Sequence, residues 1–428
     1  MVSVPASGLA DITIRSLASD GSGVGELPDG RIVFIPRSAP GDIARVKVTT
    51  LKRRWARGQL KEILDPTEER SRPLCSIYDK CGGCSLQHIP YPEQLKWKEN
   101  FVLEALSRIG GLEVDEVPVT ASPHKSQYRN RMTFTLRRLR GGRVVAGFHG
   151  LHRPGHVVDV RRECVLPEPE ITSAWMSLRE NWGTGARRLP SGGRLRLTLR
   201  NSRSGVDLLI EGGKGTWNPE PLMTRVSPIS TVWHEASDAG AIELVYGKAH
   251  EEIWIEKELL LVGDVFLQVN RASAHLLQEH VIAIAGTPDS AIDAYCGVGN
   301  YGRHLANSGT TVVGIDVNGA ALTSSCEDKD IKYRTVEGAV EEHLANFLPV
   351  DLLILNPPRS GLERTIPLQI LEAPPETIIY VSCDPATLAR DLNRLVPTYS
   401  LAESQAFDLF PQTAHIETVA VLKRSTNQ

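Results

Sequence analysis

The sequence predicts an α/β protein in which a doubly wound parallel sheet follows a small β-barrel and a β-rich middle part. Three patterns predict this class. Apolar, β-branched runs alternate with helical segments from Phe266 onwards. Short strands separated by glycine turns fill residues 12–64, and strand-like segments with hairpin-like gaps fill residues 122–262. A chain of 428 residues is long enough for two to four domains.

The composition excludes several classes of protein. A hydrophobic content of 41% with 23% charged residues is ordinary for a soluble globular chain. The first twenty residues contain no apolar signal core, and no segment is long enough to cross a bilayer. We therefore expect a cytoplasmic protein with no membrane partner. In that reducing compartment, metal binding or catalysis explains the seven cysteines better than disulfides do.

The two halves of the chain carry opposite charge. Residues 1–250 contain 36 Lys and Arg against 27 Asp and Glu, whereas residues 251–428 contain 12 against 24. A basic front part suits an anionic partner. Arginines recur in the middle part, where several are predicted to line one strand face that suits a phosphate backbone. They are Arg129, Arg131, Arg137, Arg138, Arg140 and Arg143.

The front part has the strand spacing of a five-stranded barrel of the OB type. Alternating runs at 31–35 and 44–48 are separated by glycine turns. The segment KRRWAR at 52–57 places four cations around one indole, which suits phosphates and a stacked base. A solvated loop is the alternative for this segment.

Three clustered cysteines and one remote cysteine form a candidate metal site. Cys75, Cys81 and Cys84 lie close together, and Cys164 follows about 80 residues later. Zinc ribbons usually pair two Cys-x-x-Cys knuckles, and only one is present here. The pattern is closer to iron–sulfur ligation, and the glycine pair after Cys81 lets the backbone wrap closely round a cluster. Zinc and unliganded thiols remain alternatives.

One clear helix is predicted in the front half, over 91–110. Leu95, Val102, Leu106 and Ile109 fall on one stripe, and a glycine pair ends the helix.

The predicted strands of the last part end in polar residues. The segment 266–270 leads into a helix that runs to about Ala285, and strand-like runs follow at 291–295, 311–315 and 351–355. The last two of these runs are followed by Asp316 and Asn356. Ligands bind outside the carboxyl ends of strands in an open α/β sheet, so these residues mark a crevice.

A glycine-rich loop follows the first of these strands. Gly297-x-Gly299-x-x-Gly302, with Asp316 at the end of the next strand, matches the adenosine-cofactor loop of a Rossmann-like domain. NAD and S-adenosylmethionine both use this layout, so an NAD-dependent oxidoreductase is the alternative. Asp293 before the loop and a cysteine at 296 suit the methyl donor better.

Cys383 lies where a buried strand at 377–381 meets a helix at 386–395. Asp384 is placed to cap that helix, and Pro385 fills its first position. Because a helix start favours a thiolate, Cys383 is a candidate nucleophile, with a buried structural cysteine as the alternative.

A cysteine and a carboxylate on neighbouring strand ends are sufficient to methylate uracil at C5. Addition of a thiolate to C6 makes C5 nucleophilic towards the methyl group, and a base must then remove the C5 proton so that the thiol is released.

Nearly the whole chain resembles the RNA uracil-5-methyltransferase family, specifically its members with an iron–sulfur cluster and a TRAM domain (a small RNA-binding barrel) that act on ribosomal RNA. The resemblance rests on the four cysteines and on four segments: FLQVN at 266–270, DAYCGVG at 293–299, SCDP at 382–385 and FPQTAHIE at 410–417.

The resemblance implies that Cys383 is the nucleophile and Glu417 the base. It implies contacts with S-adenosylmethionine from Gln268, Tyr295, Asn300 and Asp316, and Gly297 and Asn356 complete the predicted cofactor site. It also implies that Cys75, Cys81, Cys84 and Cys164 hold a [4Fe–4S] cluster with a structural or RNA-folding role.

Three domains are predicted: a TRAM-like barrel at 1–64, an iron–sulfur and RNA-binding domain at 65–262, and a methyltransferase domain at 263–428. The resemblance implies that the helix at 91–110 packs on the last of these. We expect a monomer that acts on RNA, ribosomal rather than transfer RNA. A catalytically weak RNA-binding homologue is the remaining alternative.

Two positions depart from the family. Asp316 stands where the family usually has Glu, and Asn356 stands where it has Asp. Asn carries both an acceptor and a donor for the N3–H and O4 of uracil. Asn356 is therefore predicted to hold uracil and to stabilise charge that develops on O4.

Overall fold

The computed structural model describes residues 8–68, 70–202, 205–237, 241–254, 257–261, 265–323, 332–396 and 398–425. Three large sheets and one hairpin organise these residues, and the predicted α/β class is confirmed. The predicted domain boundary between residues 262 and 263 lies outside the described residues.

The front sheet curls into a barrel of six strands, where five were predicted. Its strands are β1 (Leu9–Thr13), β2 (Ser16–Leu17), β3 (Gly23–Glu26), β4 (Ile32–Ile35), β5 (Ile43–Leu51) and β6 (Trp55–Asp65), in the order β1-β5-β6-β4-β3-β2. Alternate side chains such as Ile12, Val33 and Val46 fill the interior. β6 crosses close to them at Gly58, where a Cβ would lie 2.2 Å from a Val46 methyl carbon.

One helix and one short strand follow the barrel, and a second sheet follows them. The first two are α1 (Tyr91–Arg108) and β7 (Val119–Thr120). The second sheet and its helices comprise β8 (Arg131–Arg138), β9 (Val144–His149), β10 (Val157–Asp159), α2 (Pro169–Asn181), β11 (Arg194–Ser202), β12 (Gly205–Glu211), α3 (Glu220–Met223), β13 (Ile229–Glu235) and β14 (Ile242–Tyr246). A separate hairpin joins β15 (His250–Trp254) to β16 (Lys257–Leu261).

The second sheet has the order β10-β9-β8-β11-β12-β13-β14, and α2 packs on it through Trp175, whose ring stacks on Phe134 at 3.8 Å. The predicted phosphate-binding arginine face is wrong at Arg138. Its guanidinium donates to the carbonyls of Gly185, Ala186 and Pro190, so it ties neighbouring loops together. Arg137 is exposed, and it donates to the carbonyl of Gly155 (2.7 Å).

The third sheet is the predicted doubly wound sheet. Its elements are α4 (Arg271–Ala285), β17 (Ser290–Ala294), α5 (Asn300–Asn307), β18 (Thr311–Asp316), α6 (Gly319–Thr323), β19 (Tyr333–Glu337), α7 (Val340–His343), β20 (Leu352–Leu355), α8 (Thr365–Glu372), β21 (Thr377–Ser382), α9 (Pro385–Leu395), β22 (Tyr399–Phe407) and β23 (Glu417–Arg424). The strand order is β19-β18-β17-β20-β21-β23-β22-β7.

The strand order of the third sheet reverses at β17. β18 and β19 lie on one side of β17, whereas β20 and β21, which come later in the sequence, lie on the other side. β23 is antiparallel to β21. Such a switch point opens a crevice at the carboxyl ends of the strands. Residues 265–269 form no strand, and Asn270 caps α4 by accepting from the Ser273 N–H (3.2 Å).

α1 packs on the third sheet although it precedes the second sheet in sequence. Val102 and Leu106 share a buried cluster with Leu388 and Leu392 of α9. The predicted stripe is wrong at Ile109, which is 47% exposed. Polar Gln94 and Lys98 are buried on this helix instead. No helix among the described residues is long and apolar enough to span a membrane.

Candidate active site

The strand ends bring the predicted site residues to one edge of the third sheet. Ala294 pairs with Ile315 on one side and Leu355 on the other, and Leu355 pairs with Tyr380. The residues that follow these positions therefore share that edge. They include Tyr295, Asp316, Asn356 and Cys383.

Cys383 and Glu417 lie opposite each other at the same edge. In the antiparallel pair β21–β23, Ser382 pairs with Thr418. The next position outward on each strand is Cys383 on one side and Glu417 on the other, and directly opposed residues are close neighbours. Cys383 is half-buried, whereas Glu417 is only 4% exposed.

Burial governs the protonation of both groups. It raises the pKa of Glu417 to about 8, although nearby Arg359 acts in the opposite direction. Burial, followed by the charge of Glu417, also raises the pKa of Cys383, whereas the positive charge of nearby Arg359 lowers it. The prediction that the helix start makes Cys383 a thiolate is thus wrong in direction, because desolvation of the thiolate outweighs the dipole.

The predicted capping of α9 is confirmed. Asp384 accepts a hydrogen bond from the Thr387 N–H (2.9 Å), and Pro385 is the first residue of the helix. Arg359 follows Asn356 and two prolines in the sequence. Its contact with Cys383 depends on the packing of two separate strand ends, so no local signal in the sequence indicates it.

The glycine-rich loop presents its backbone to open space. Gly297 and Gly299 have φ angles of 55° and 79°, and Tyr295 has a φ of 62°, a strained value for a residue with a side chain. Asp316 accepts hydrogen bonds from the N–H groups of Gly297 and Asn318, both 2.8 Å. A Cβ built on Gly297 would meet no atom within 4 Å. A ligand can therefore approach the main chain there.

A second carboxylate lies beneath this loop. Asp293 accepts from the Gly302 N–H (2.8 Å), while its other oxygen has no hydrogen-bond partner among the described residues. Burial raises the pKa of Asp293 to about 7. Tyr333 also lies under the loop, since a Cβ on Gly299 would approach its hydroxyl to 2.6 Å. Sequence reasoning missed Tyr333, which belongs to no motif.

Gln268 and Asn300 flank the same loop and are partly exposed. The carbonyl of Gln268 accepts from the Asn130 side chain (3.1 Å), which ties this segment to the second sheet. Asn300 begins α5, and its carbonyl accepts from the Gln278 side chain (3.1 Å). Val265 and Leu267 pack with Val298 of the loop, so the segment before α4 lies beside the predicted cofactor site.

The four predicted cluster ligands line one cavity, which we call the cysteine pocket: Cys75, Cys81, Cys84 and Cys164. Met132, Phe148 and Leu166 provide apolar walls. The main-chain N–H of Gly83 donates to the sulfur of Cys81 (3.3 Å). Burial raises the pKa of all four thiols, to about 11 for Cys84 and about 12 for Cys164.

Within the part of the chain that the structure describes, no three or more His, Cys, Asp or Glu side chains converge closely enough to ligate one metal ion. The sulfurs of the cysteine pocket therefore share a cavity without forming a compact single-ion site. Arg37 of the barrel holds the segment around them, since its guanidinium donates to the carbonyls of Tyr78 (3.0 Å), Cys81 (2.7 Å) and Cys84.

The basic segment at 52–57 forms the hairpin turn between β5 and β6 and the start of β6. Arg53 and Arg54 are exposed, and Trp55 is 37% exposed with its ring edge against Phe34 at 6.3 Å. The indole and the two guanidinium groups are therefore accessible at one tip of the barrel.

Comparisons with known proteins agree with this arrangement. A family model described as tRNA (Uracil-5-)-methyltransferase matches residues 331–425, and the TRAM domain model matches residues 10–61. An uncharacterized RNA methyltransferase of Thermosynechococcus vestitus is 34% identical over 97% of this chain and 98% of its own length. The chain belongs to the RNA uracil-5-methyltransferase family. A relative from Synechocystis is 31% identical over 97% of this chain and 96% of its own.

One solved structure is similar to this chain over nearly its whole length. The tRNA (uracil-54, C5)-methyltransferase of Pyrococcus abyssi, in complex with S-adenosyl-L-homocysteine, has a TM-score of 0.74 and 27% identity, covering 96% of this chain and 100% of that one. The predicted TRAM domain and methyltransferase fold are confirmed. The family assignment also favours the methyl donor over NAD, which the glycine-rich loop alone left open.

Proposed function

We propose that this methyltransferase transfers a methyl group to C5 of a uridine in RNA, with Cys383 as the nucleophile and Glu417 as the base. The observation that carries the proposal is the opposition of these two residues across β21 and β23, at the edge that also bears the glycine-rich loop. A nucleophile and a base on adjacent strand ends can act on neighbouring ring atoms, C6 and C5.

Arg359 prepares the nucleophile. The thiolate is the reactive form of cysteine, and burial disfavours it here. The positive charge of Arg359 stabilises the thiolate against that cost. When the sulfur adds to C6, the electrons of the C5–C6 double bond move towards O4, so C5 becomes the carbon that accepts the methyl group.

Glu417 completes the reaction. It takes the proton from C5, the electrons of that C–H bond restore the C5–C6 double bond, and the C6–S bond breaks to return the Cys383 thiolate. A carboxylate with a pKa of about 8 is a stronger base than an exposed one. Burial of Glu417 therefore suits it to remove a carbon-bound proton.

The residues around the glycine-rich loop fit S-adenosylmethionine, which when bound supplies an electrophilic methyl group. Asp316 would hold the ribose hydroxyls, and the exposed main chain at Gly297 allows close approach. The side chain of Val317, next to Asp316, is 69% exposed and offers an apolar surface for an adenine ring. Gln268, Tyr295 and Asn300 would complete this site.

Asn356 would recognise the target base. It follows β20, and its N–H donates to the carbonyl of Ala294 (3.2 Å) at the crevice edge. Its side chain can accept from uracil N3–H and donate to O4, where an ionised Asp can only accept. Wild type should therefore methylate uridine in preference to cytidine, and Asn356→Asp should be slower on uridine. Faster methylation of uridine by Asn356→Asp would contradict this role.

The cysteine pocket would hold a [4Fe–4S] cluster. Its four thiols line one cavity with apolar walls, and the Gly83 N–H donates to the sulfur of Cys81 (3.3 Å), a hydrogen bond that would stabilise a thiolate ligand. Zinc ribbons usually pair two Cys-x-x-Cys knuckles, and one is present here, so the ligand pattern favours a cluster over zinc. Protein purified without oxygen should contain iron and sulfide, and stoichiometric zinc without iron would refute the assignment.

The RNA would bind across the TRAM barrel and the crevice. The exposed Arg53, Arg54 and Trp55 suit phosphates and a stacked base. The resemblance to iron–sulfur, TRAM-bearing family members that act on ribosomal RNA favours that substrate, whereas the similarity to the Pyrococcus abyssi enzyme makes transfer RNA the second candidate. Mass spectrometry of both RNAs from a strain that lacks the protein would identify the substrate.

The catalytic proposal is tested with RNA that carries 5-fluorouridine at the target. Wild type should form a stable protein–RNA adduct, because fluorine cannot leave as a cation when the base acts. With ordinary uridine, Glu417→Gln should add to C6 and transfer the methyl group but accumulate the adduct. Absence of any adduct with wild type, or rapid multiple turnover by Glu417→Gln, would overturn the assigned roles.

A further inference from the structure

Ser85 lies where three parts of the molecule meet. Its N–H donates to the carbonyl of Gln412 (3.0 Å), and its hydroxyl accepts from the N–H of Ala414 (2.9 Å). Its carbonyl accepts from the hydroxyl of Tyr78 (2.8 Å). The barrel also packs on this side chain, because a Cβ built on Gly21 would lie 2.9 Å from the Ser85 hydroxyl.

These contacts join two functional segments that are more than 300 residues apart in sequence. Residues 75–86, which we call the cysteine segment, contain three of the four pocket cysteines and end with Ser85 and Leu86. Residues 410–416, which we call the base loop, lead directly into Glu417. The hydrogen bond from Ala414 to Ser85 is only three residues from the proposed base.

The base loop needs such support because its backbone is strained. Gln412 has a φ of 71°, an unfavourable value for a residue with a side chain. The N–H of Leu86 also donates to the Gln412 carbonyl (3.0 Å). From α1, Gln94 accepts from the Gln412 N–H and donates to its side-chain oxygen, both 3.1 Å.

We propose that Ser85 is a positioning residue for Glu417, through which the cysteine segment holds the base loop and keeps the carboxylate opposite Cys383. The inference rests on the proposed function. It assigns the cysteine pocket a role in one chemical step, the removal of the C5 proton, in addition to any role in RNA binding. Attack by Cys383 and methyl transfer require no proton transfer to Glu417, so a displaced carboxylate should affect proton removal most.

The predicted effect is therefore confined to release of the adduct. A displacement of about 1 Å at a reacting group can cost about a hundredfold in rate, so we expect Ser85→Ala to slow release by about tenfold or more. Adduct formation and the affinity for S-adenosylmethionine should stay within about twofold of wild type. Ser85→Thr keeps the hydroxyl acceptor and should restore most of the release rate.

The experiment follows a single turnover with an RNA that contains the target uridine and methyl-labelled S-adenosylmethionine. Denaturing gels measure the protein–RNA adduct, and released RNA is measured separately. Ser71→Ala is the matched control, because Ser71 lies just before the cysteine segment and its hydroxyl donates to the Gln87 carbonyl (3.0 Å). We expect wild-type release from Ser71→Ala and accumulation of the adduct with Ser85→Ala.

A second variant covers the case in which Ser85→Ala fails to fold or loses iron. Gln94→Met removes the α1 side of the same support and should also slow release. Wild-type release rates from both variants, with wild-type iron content, would overturn the inference. Failure of wild type itself to form an adduct would instead overturn the proposed function on which the inference rests.

Discussion

Cys383 and the cysteines of the cysteine pocket differ in their neighbours, although burial raises the pKa of every one of these thiols. Beside Cys383 lie a carboxyl group and an exposed guanidinium, Glu417 and Arg359. The pocket cysteines line one cavity with apolar walls, and the Gly83 N–H donates to the sulfur of Cys81. Arg129 also lines this cavity, and Arg37 donates to carbonyls of the surrounding backbone.

The difference shows what separates a nucleophile from a ligand in this molecule. Burial alone does not, since it acts on both groups in the same direction. A nucleophile needs a cation at its sulfur and a base within reach of the same substrate. A set of ligands needs several thiols in one dry cavity. Substitutions beside Cys383 should therefore change catalysis and leave the cysteine pocket intact, and substitutions in the pocket should do the reverse.

The largest expected effect is the loss of catalysis in Cys383→Ala. Removal of a covalent nucleophile costs on the order of 10⁴-fold or more, so turnover and the 5-fluorouridine adduct should both disappear. The iron and sulfide content of the anaerobically purified protein should match wild type, because Cys383 lies outside the cysteine pocket.

Cys164→Ala is the counterpart of that variant. It should lose iron and sulfide but keep a measurable adduct, with slower release if the cysteine segment positions the base. A Cys383→Ala protein without iron, or a Cys164→Ala protein that never forms an adduct, would contradict the separation of the two groups.

An intermediate effect on the rate of adduct formation is expected when Arg359 is replaced, and Arg37 provides the control. Arg359→Gln removes the positive charge that lowers the pKa of Cys383, so the pH dependence of adduct formation should shift to higher pH. At pH 7 the rate should fall by about tenfold, which corresponds to about 1.4 kcal/mol. Arg37→Gln is the matched control and should leave this profile in place while it weakens iron retention. Identical profiles for Arg359→Gln and wild type would refute the role of Arg359.

A further expected effect, on stability rather than on catalysis, concerns pH. The pKa of Glu417 rises from 4.5 to about 8 on folding, so between these values the folded chain holds a proton that the unfolded chain has released. Stability should therefore decrease as pH rises from 4.5 towards 8. Glu417→Gln has no carboxyl group to titrate, so its stability should not decrease in this way. At pH 8 it should be more stable than wild type by at most about 5 kcal/mol. Denaturant unfolding that gives the same difference between the two proteins at pH 5 and pH 8 would contradict this origin.

Loops, helix starts and strands that depend on neighbouring residues could be predicted from the sequence alone. Glycines set the loop at 297–302 because only they adopt its backbone freely, Asp384 and Pro385 set the start of α9, and β-branched runs set the central strands. Those signals were sufficient to predict the sheet and to place Tyr295, Asp316, Asn356 and Cys383 at strand ends. The chemistry of uracil methylation followed from the kinds of residue at those ends.

Features that depend on burial or on contacts between distant segments could be seen only in the tertiary structure. Lys98 lies on a helix that a hydrophobic stripe predicts, yet it is buried because Asp408 accepts its hydrogen bond (2.6 Å). The direction of the Cys383 pKa shift depends on how deeply the thiol is buried, and the predicted helix start next to it does not indicate that burial. The link from Ser85 to the base loop joins segments that only folding brings together, since a hydrogen bond requires both partners in place.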